Sequence, residues 1–440
     1  MNKINNIIDD HFENLDQIKF LNTASKISKI NELRKSGMDS FLKYGFPAEI
    51  SNSEKWKFSN INPIAREKFS LVPHAPKYTT TSFDNKLMNH PANTNRLVFI
   101  NGELDKNNTD ISSIIDHCLI TTFNSTNLES NEIINNNLGN LINIENDIFS
   151  AINSAFLNDG LLIYVKKGAQ ISQPISIIFI TTNQNIKIAT FPRILVICEE
   201  DSTSSIIEGH ISYSNQPSLN APVVEIQINN NANLNHYRYM IDTAKGFHIG
   251  NTKVSLGEQS QYNSLSFSTG SKLARNAVEI NMNEKYSYCN LNGLYITKDK
   301  NHIDNHININ HKNTHTKSNI FYKGILKDSS RAVFSGRVLV ERNAQKTQAT
   351  QSDKNLLLSP NVRINTKPSL EIYADDVQCG HGATASYFAD DAMFYMQSRG
   401  INKKASEQLL IKGFANEILE QIPSSLIRKF FYDILIHRSI

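Results

Sequence analysis

Residues Ala277–Val340 read AVEINMNEKYSYCNLNGLYITKDKNHIDNHININHKNTHTKSNIFYKGILKDSSRAVFSGRVLV. Val278, Ile280 and Met282 alternate with polar residues, and Ile303, Ile307 and Ile309 repeat the pattern. That is the period of a strand. The stretch resolves into short strands at Ala277–Met282, Asn290–Ile296, Ile303–Ile309, Ile320–Leu326 and Ala332–Val340, separated by polar turns. Strands recurring every 8 to 12 residues or so indicate a sandwich, a barrel or a solenoid.

The same grammar extends in both directions. Upstream it predicts strands at Leu161–Val165, Ile175–Ile180, Arg193–Cys198, Val223–Ile228, Leu234–Ile241 and Asn251–Leu256, and downstream at Asn355–Leu358 and around Leu370 and Ile372. Roughly two hundred residues of strands without a helix exceed one sandwich, whereas a solenoid coil needs only its neighbours. A mainly β fold with a solenoid core is the expectation.

Helical periodicity flanks this core. Ile7, Phe12, Leu15, Ile18, Leu21, Ile27, Ile30 and Leu33 predict helices over residues 1–45, ended by Gly45-Phe46-Pro47. Trp56, the single tryptophan, reads as a packing anchor. Residues 75–140 read as polar loops around a short strand at Leu97–Ile100, and Ala151–Phe156 as a short helix. After Asp390 three helices are expected, stopped by Gly400 and Pro423. Their apolar stripes are Phe394 and Tyr395, then Ala405, Leu409, Leu410, Gly413, Phe414, Ile418 and Leu419, then Leu426 to Leu435. Such helices either cap the last coil or bind another subunit. The division expected is 1–155 helical and mixed, 156–388 solenoid, and 389–440 helical.

The chain has 440 residues, with 45 basic and 42 acidic side chains interspersed, and a formal charge of +3. The absence of a basic block argues against nucleic acid as partner. Four isolated cysteines form no disulfide framework, and the first residues lack a signal-peptide pattern, so a reducing, cytoplasmic location without membrane insertion is expected.

Three features bear on chemistry. His302, His306, His311 and His315 form a series, but strand alternation sets His302 and His306 opposite Ile303 and Ile307, and an exposed polar ladder is the expectation. Cys379-Gly380-His381 places a thiol and an imidazole two residues apart, on one side of a strand, where both can meet one metal ion. Two ligands fall short of the four of a closed zinc or iron–sulfur site, so the rest comes from another chain or from bound sulfide, or the pair is structural. No phosphate-binding Gly-Lys-Ser/Thr loop, dinucleotide fingerprint or nucleophile elbow is present.

Further phrases carry a resemblance: Tyr322-Lys323-Gly324, Arg331 to Gly336, Ala344 to Thr347, Asn355 to Ser359, Lys367 to Ile372, Ala374 to Thr384 and Ser398 to Ile401. They resemble the SufD family of scaffold subunits in the SUF iron–sulfur cluster assembly machinery. A cysteine near Thr347–Ser352 and an N-terminal cysteine cluster would mark the sister SufB family, and this chain has neither. The resemblance implies a right-handed parallel β-helix core flanked by N- and C-terminal helical regions, with no catalytic activity of its own. It implies pairing with SufB and docking of the ATPase SufC on the C-terminal helices, where Phe394, Tyr395, Arg399, Gly400, Leu409 and Phe414 are the candidate contacts. A transient iron–sulfur cluster, or iron, is by that resemblance shared with SufB at His381 and its neighbour Cys379, sulfur reaches the complex by a cysteine desulfurase route, and no nucleotide is bound by this chain. Gly380 stands where the family has serine. A second reading is a β-helix polysaccharide lyase or hydrolase, in which Asp375, Asp376 and Arg331 can be cast as the catalytic groups.

Overall fold

The computed structural model describes residues 10–13, 23–46, 54–71, 95–125, 127–145, 147–182, 185–388 and 390–439. The expected helix positions Ile7, Leu15, Ile18 and Leu21, and Pro47, lie outside these residues.

From Leu161 the chain winds as a parallel β-solenoid of about seven turns, with helices at both ends of the chain. Thr203, Asn233, Gln261, Tyr288, Lys317, Gln348 and Gln378 stack in one register column, each a coil beyond the last. The coils alternate between two sheets of 13 and 10 strands among the described residues, here the first and the second sheet.

One corner of each of six successive coils is made by a residue with positive φ: Asp201, Asn231, Gln259, Tyr286, His315 and Lys346, at φ between 55° and 61°. Asn and Asp tolerate this left-handed conformation, and the others hold it because neighbouring coils fix the turn. His315 is therefore a corner residue, its ring 5.0 Å from that of Tyr286 one coil earlier.

The lumen is packed by the inward residues of both sheets, among them Val278, Ile280 and Met282 and their column neighbours Ile307, Ile309 and Val338. The outer face of the second sheet is apolar as well: Ile178, Ile207, Tyr239, Phe267 and Leu294 form one cluster with Ile411, Ala415, Ile418, Phe430, Phe431 and Leu435 of the C-terminal helices. Helices Lys403–Leu419 and Ser425–Ser439 thus lie along the side of the solenoid. Of the two alternatives left open for the tail, capping of the last coil is not what these two helices do. Lys323 pins the first of them, donating to the Phe414 carbonyl at 2.7 Å, pairing with Glu417 and standing 4.1 Å over the Phe414 ring. Their stripes are also rotated from the expected ones, since Leu409 is 48% and Leu426 58% exposed.

The N-terminal segment covers the outer face of the first sheet. Helix Ser28–Tyr44 crosses helix Ile148–Ala155 so closely that a Cβ at Gly37 would meet the Ala151 carbonyl oxygen at 2.5 Å. Trp56 is the anchor expected, 5.6 Å from Phe149 and under the Arg275 guanidinium. Phe12, expected in a helix, pairs in a short strand with Phe69 instead. The strand expected at Leu97–Ile100 is observed as Arg96–Ile100 and extends the second sheet; where loops were expected around it, strand Cys118–Thr122 extends the first, and Leu128–Asn137 is a helix whose Asn127 side chain accepts from Glu129 N. Among the described residues no helix is long and apolar enough to cross a membrane.

Candidate functional site

The last coil consists of strands Arg363–Ile372 and Gln378–Ser386 joined by a corner that contains Asp375 and Asp376. Ala374 is buried there, and Asp376 is committed to the previous coil: its N–H donates to Gln345 Oε1 at 2.9 Å, its carbonyl accepts from Lys346 N at 2.6 Å, and its carboxylate pairs with the Lys346 ammonium. Arg331 begins a strand whose neighbour reaches this corner only after ten residues, about 30 Å along the strand direction. The lyase grouping of Asp375, Asp376 and Arg331 is not assembled.

Each strand of the last coil pairs on one side only. Strand Gln378–Ser386 pairs with Gln348–Leu357, and Arg363–Ile372 with Arg331–Val340; the opposite edges carry no strand among the described residues. In parallel pairing the outward half of the N–H and C=O groups on such an edge is left for another chain. Exposed Ile372, Tyr373 and Tyr387 surround it.

His381 lies opposite Gln351 and Cys379 opposite Ala349. Ala349 and Gln351 are buried, so the column of Cys379 and His381 continues the inward face of the solenoid onto its open end. Cys379 is half-buried against the luminal core, whereas His381 is exposed. Burial pushes the Cys379 thiol up, opposed by the Ala349 N–H, so it stays protonated at neutral pH. A Cβ at Gly380 or Gly382 would meet nothing within 4 Å. Nothing among the described residues needs the bare backbone there, and it leaves room for a second backbone.

Beneath this end lies Asp353, one coil earlier, opposite Ala383. It accepts from Asn355 Nδ2 at 2.7 Å, and burial pushes its carboxyl up to about 6. Near pH 3 the carboxyl is protonated folded and unfolded and has no effect on stability. From about pH 4 to about pH 6 the unfolded chain ionises while the folded one keeps its proton, so stability falls, and above that range the loss is complete. Asp353→Asn is expected to flatten this fall and to gain about 1–3 kcal/mol at pH 7–8, read from urea unfolding across pH 4–8.

The histidine series is not brought together. His302 is within 3.3 Å of Ser59 Oγ, His311 is buried between Thr316 Oγ1 at 2.7 Å and Ser318 Oγ at 2.8 Å, and His315 is the corner residue. The exposed ladder expected is corrected: the 54–59 segment lies over His302, and His311 points inward. Among the described residues no group of three or more His, Cys, Asp or Glu is poised to hold a metal ion.

Of the candidate docking residues, Phe394 is 75% and Tyr395 59% exposed on helix Asp390–Ser398. The Arg399 guanidinium stands 5.3 Å over the Tyr395 ring, and Gly400, at φ 85°, ends the helix. Leu409 is exposed, while Phe414 is partly buried against the second sheet.

Two family models match the chain. Residues 179–414 match the SufBD core domain described under SUF system FeS cluster assembly, and residues 5–177 match the SufBD protein N-terminal region. A Synechocystis protein described as an iron–sulfur cluster assembly SufBD family protein is 34% identical over 84% of this chain and 83% of its own length. The chloroplastic protein ABCI7 of Arabidopsis thaliana is 32% identical over 64% of this chain and 61% of its own. The iron–sulfur cluster assembly protein SufD of Escherichia coli is 28% identical over 63% of this chain and 66% of its own.

Proposed function

The chain belongs to the SufBD family of SUF-system iron–sulfur cluster assembly proteins, and from that premise we propose that it fills the SufD position as a non-catalytic scaffold. It pairs with SufB through the open edge of its last coil and receives SufC on its C-terminal helices. The observation that carries this reading is the last coil itself, with two strands paired on one side only, uncrowded glycines and an exposed imidazole on the luminal column. In this reading residues 1–155 brace the solenoid, 156–388 form the platform, and 389–440 include the ATPase dock.

The cluster is cargo. An imidazole nitrogen from His381 and, after loss of its proton, the Cys379 sulfur supply two donors of types that iron–sulfur centres accept. SufB and sulfide supply the remainder. Phe394, Tyr395, Arg399 and Leu409 contact SufC, with Gly400 turning the chain between helices and Phe414 holding the dock to the sheet. ATP-driven closure of SufC favours one arrangement of the scaffold pair over the other, and that difference in affinity is what opens the site.

Co-purification with SufB and SufC, followed by anaerobic reconstitution with iron and sulfide, tests the reading. The ternary complex is expected to gain cluster absorbance that the isolated chain does not hold. A stable cluster on the isolated chain contradicts it.

A further inference from the structure

Ion pairs on the outer face of the first sheet share one direction. Arg193 pairs with Glu225 at 2.6 Å, Lys253 with Glu279 at 2.6 Å, Arg275 with Asp304, and Arg337 with Glu371 at 2.6 Å. In all four the cation stands on one strand and the carboxylate on the strand one coil later. Glu279 and Asp304 lie directly opposite their cations, and Glu225 and Glu371 two residues further along. Opposite charges placed across neighbouring strands stabilise a sheet, and like charges directly opposite destabilise it.

The last two coils break this pattern. Arg331 faces Arg363 in register, both are exposed, and neither has a carboxylate partner among the described residues. His302, on the other side of Arg331 in the same column, supplies no negative charge. Two guanidiniums thus stand on strands about 4.8 Å apart with nothing among the described residues to offset them. Arg363 belongs to the strand whose far side is open, so the position where its carboxylate is due lies beyond the end of this chain's first sheet.

The backbone beside Arg363 is open to pairing as well. Arg363 N donates to Ser330 O at 3.0 Å, so in a parallel ladder the N–H groups of Ile364 and Thr366 point to the open side. Pro368, the next residue of that set, has no N–H. A strand laid on this edge therefore ladders with the stretch before Pro368 or the stretch after it. Laddering with the stretch before it sets the incoming side chains next to Arg363.

We propose that the strand SufB lays on this edge carries an aspartate or glutamate beside Arg363, directly opposite it or two residues further along, so that the cation-then-carboxylate order continues across the subunit boundary. Arg331, one strand behind, adds its charge to the attraction. The inference rests on the pairing with SufB proposed above and names the chemistry of one contact in it. A free anion is the poorer occupant, because two exposed arginines on a strand face form no pocket, whereas a carboxylate fixed on a paired strand arrives already positioned.

Isothermal titration of the full-length chain with SufB, at about 50 mM and about 500 mM NaCl, tests the proposal. Arg363→Glu gives Arg331 a carboxylate one coil later, so the Tm of the isolated chain is expected to hold or rise. Its affinity for SufB is expected to fall by about tenfold or more at the lower salt and by less at the higher. Lys106→Glu makes the same change of net charge at an exposed position near the other end of the second sheet, and is expected to alter affinity by less than about twofold. Unchanged affinity in Arg363→Glu overturns the proposal and leaves the pairing with SufB standing. Equal weakening by Lys106→Glu also overturns it, in favour of a general effect of net charge. An unmodified chain that does not associate with SufB overturns the pairing and this contact with it.

Discussion

The His381→Ala variant is expected to fold, to enter the complex with SufB and SufC, and to yield clusters at least about tenfold more slowly than the unmodified chain in anaerobic reconstitution. Its side chain is exposed on an edge strand, so the substitution costs the fold within about 0.5 kcal/mol. The loss falls on the cargo. In the proposed site, which draws two donors from this chain, one of them is lost, and no other His, Cys, Asp or Glu group among the described residues forms a substitute site. Cys379→Ser is expected to be the milder change, since that sulfur is half-buried and its thiol is pushed up by burial. Cluster yield unchanged in His381→Ala, with the complex intact, removes His381 from the mechanism.

The second large effect is expected at the dock. In the double variant Phe394→Ala/Tyr395→Ala, capture of SufC in pull-down should fall by about 30-fold or more, the scale of losing two aromatic anchors from an interface. The fold should be indifferent, because both rings are mostly exposed. Deleting the C-terminal helices would be a poorer test. Phe430 stands 5.4 Å and Phe431 6.3 Å from the ring of Tyr239 on the second sheet, and truncating even one such buried ring costs about 3–5 kcal/mol. Loss of SufC after deletion would then report damage to the solenoid. Capture retained in the double variant refutes the assignment of these residues.

The structure shows why some coils were legible in the sequence and others were not. Strands at Leu161–Val165, Arg193–Cys198 and Val223–Ile228 are observed at the expected positions. Strands Thr203–Ser212 and Gln261–Thr269 were not foreseen. In both, most of the apolar residues face outward: Ile207 and Ile211, and Leu265 and Phe267, pack under the C-terminal helices. Apart from Ile206 and Tyr262 in the luminal core, their inward positions are polar: Glu208 and His210, then Ser264, Ser266 and Ser268, all buried. Glu208 is held ionised there by hydrogen bonds from His210 at 2.7 Å and His236 at 2.9 Å, which overcome its desolvation. A strand buried on both faces, with a polar lumen, loses the alternation that sequence reading depends on.

The helical tail carries the same lesson in another form. Its stripes announced three amphipathic helices and their ends, and helices Asp390–Ser398, Lys403–Leu419 and Ser425–Ser439 are where they were expected. A stripe states that a face is apolar and says nothing of what covers it. The outward isoleucines and tyrosines of the second sheet, from Ile178 to Ile325, decide that. At the candidate site the motif Cys379-Gly380-His381 was legible as donor chemistry; that Cys379 is half-buried and His381 open follows from the coil stack ending there.

Amide hydrogen exchange on the last coil, with and without SufB, is the most direct test of the open edge. Residues 363–372 and 378–386 of the isolated chain are expected to exchange quickly at the amides that face away from the previous coil, and to become strongly protected when SufB is added. Helix Ser425–Ser439, already buried against the second sheet, should show no change. Unaltered exchange throughout the last coil in a complex that forms all the same would contradict the account, because SufB would then be held elsewhere and His381 would face no partner.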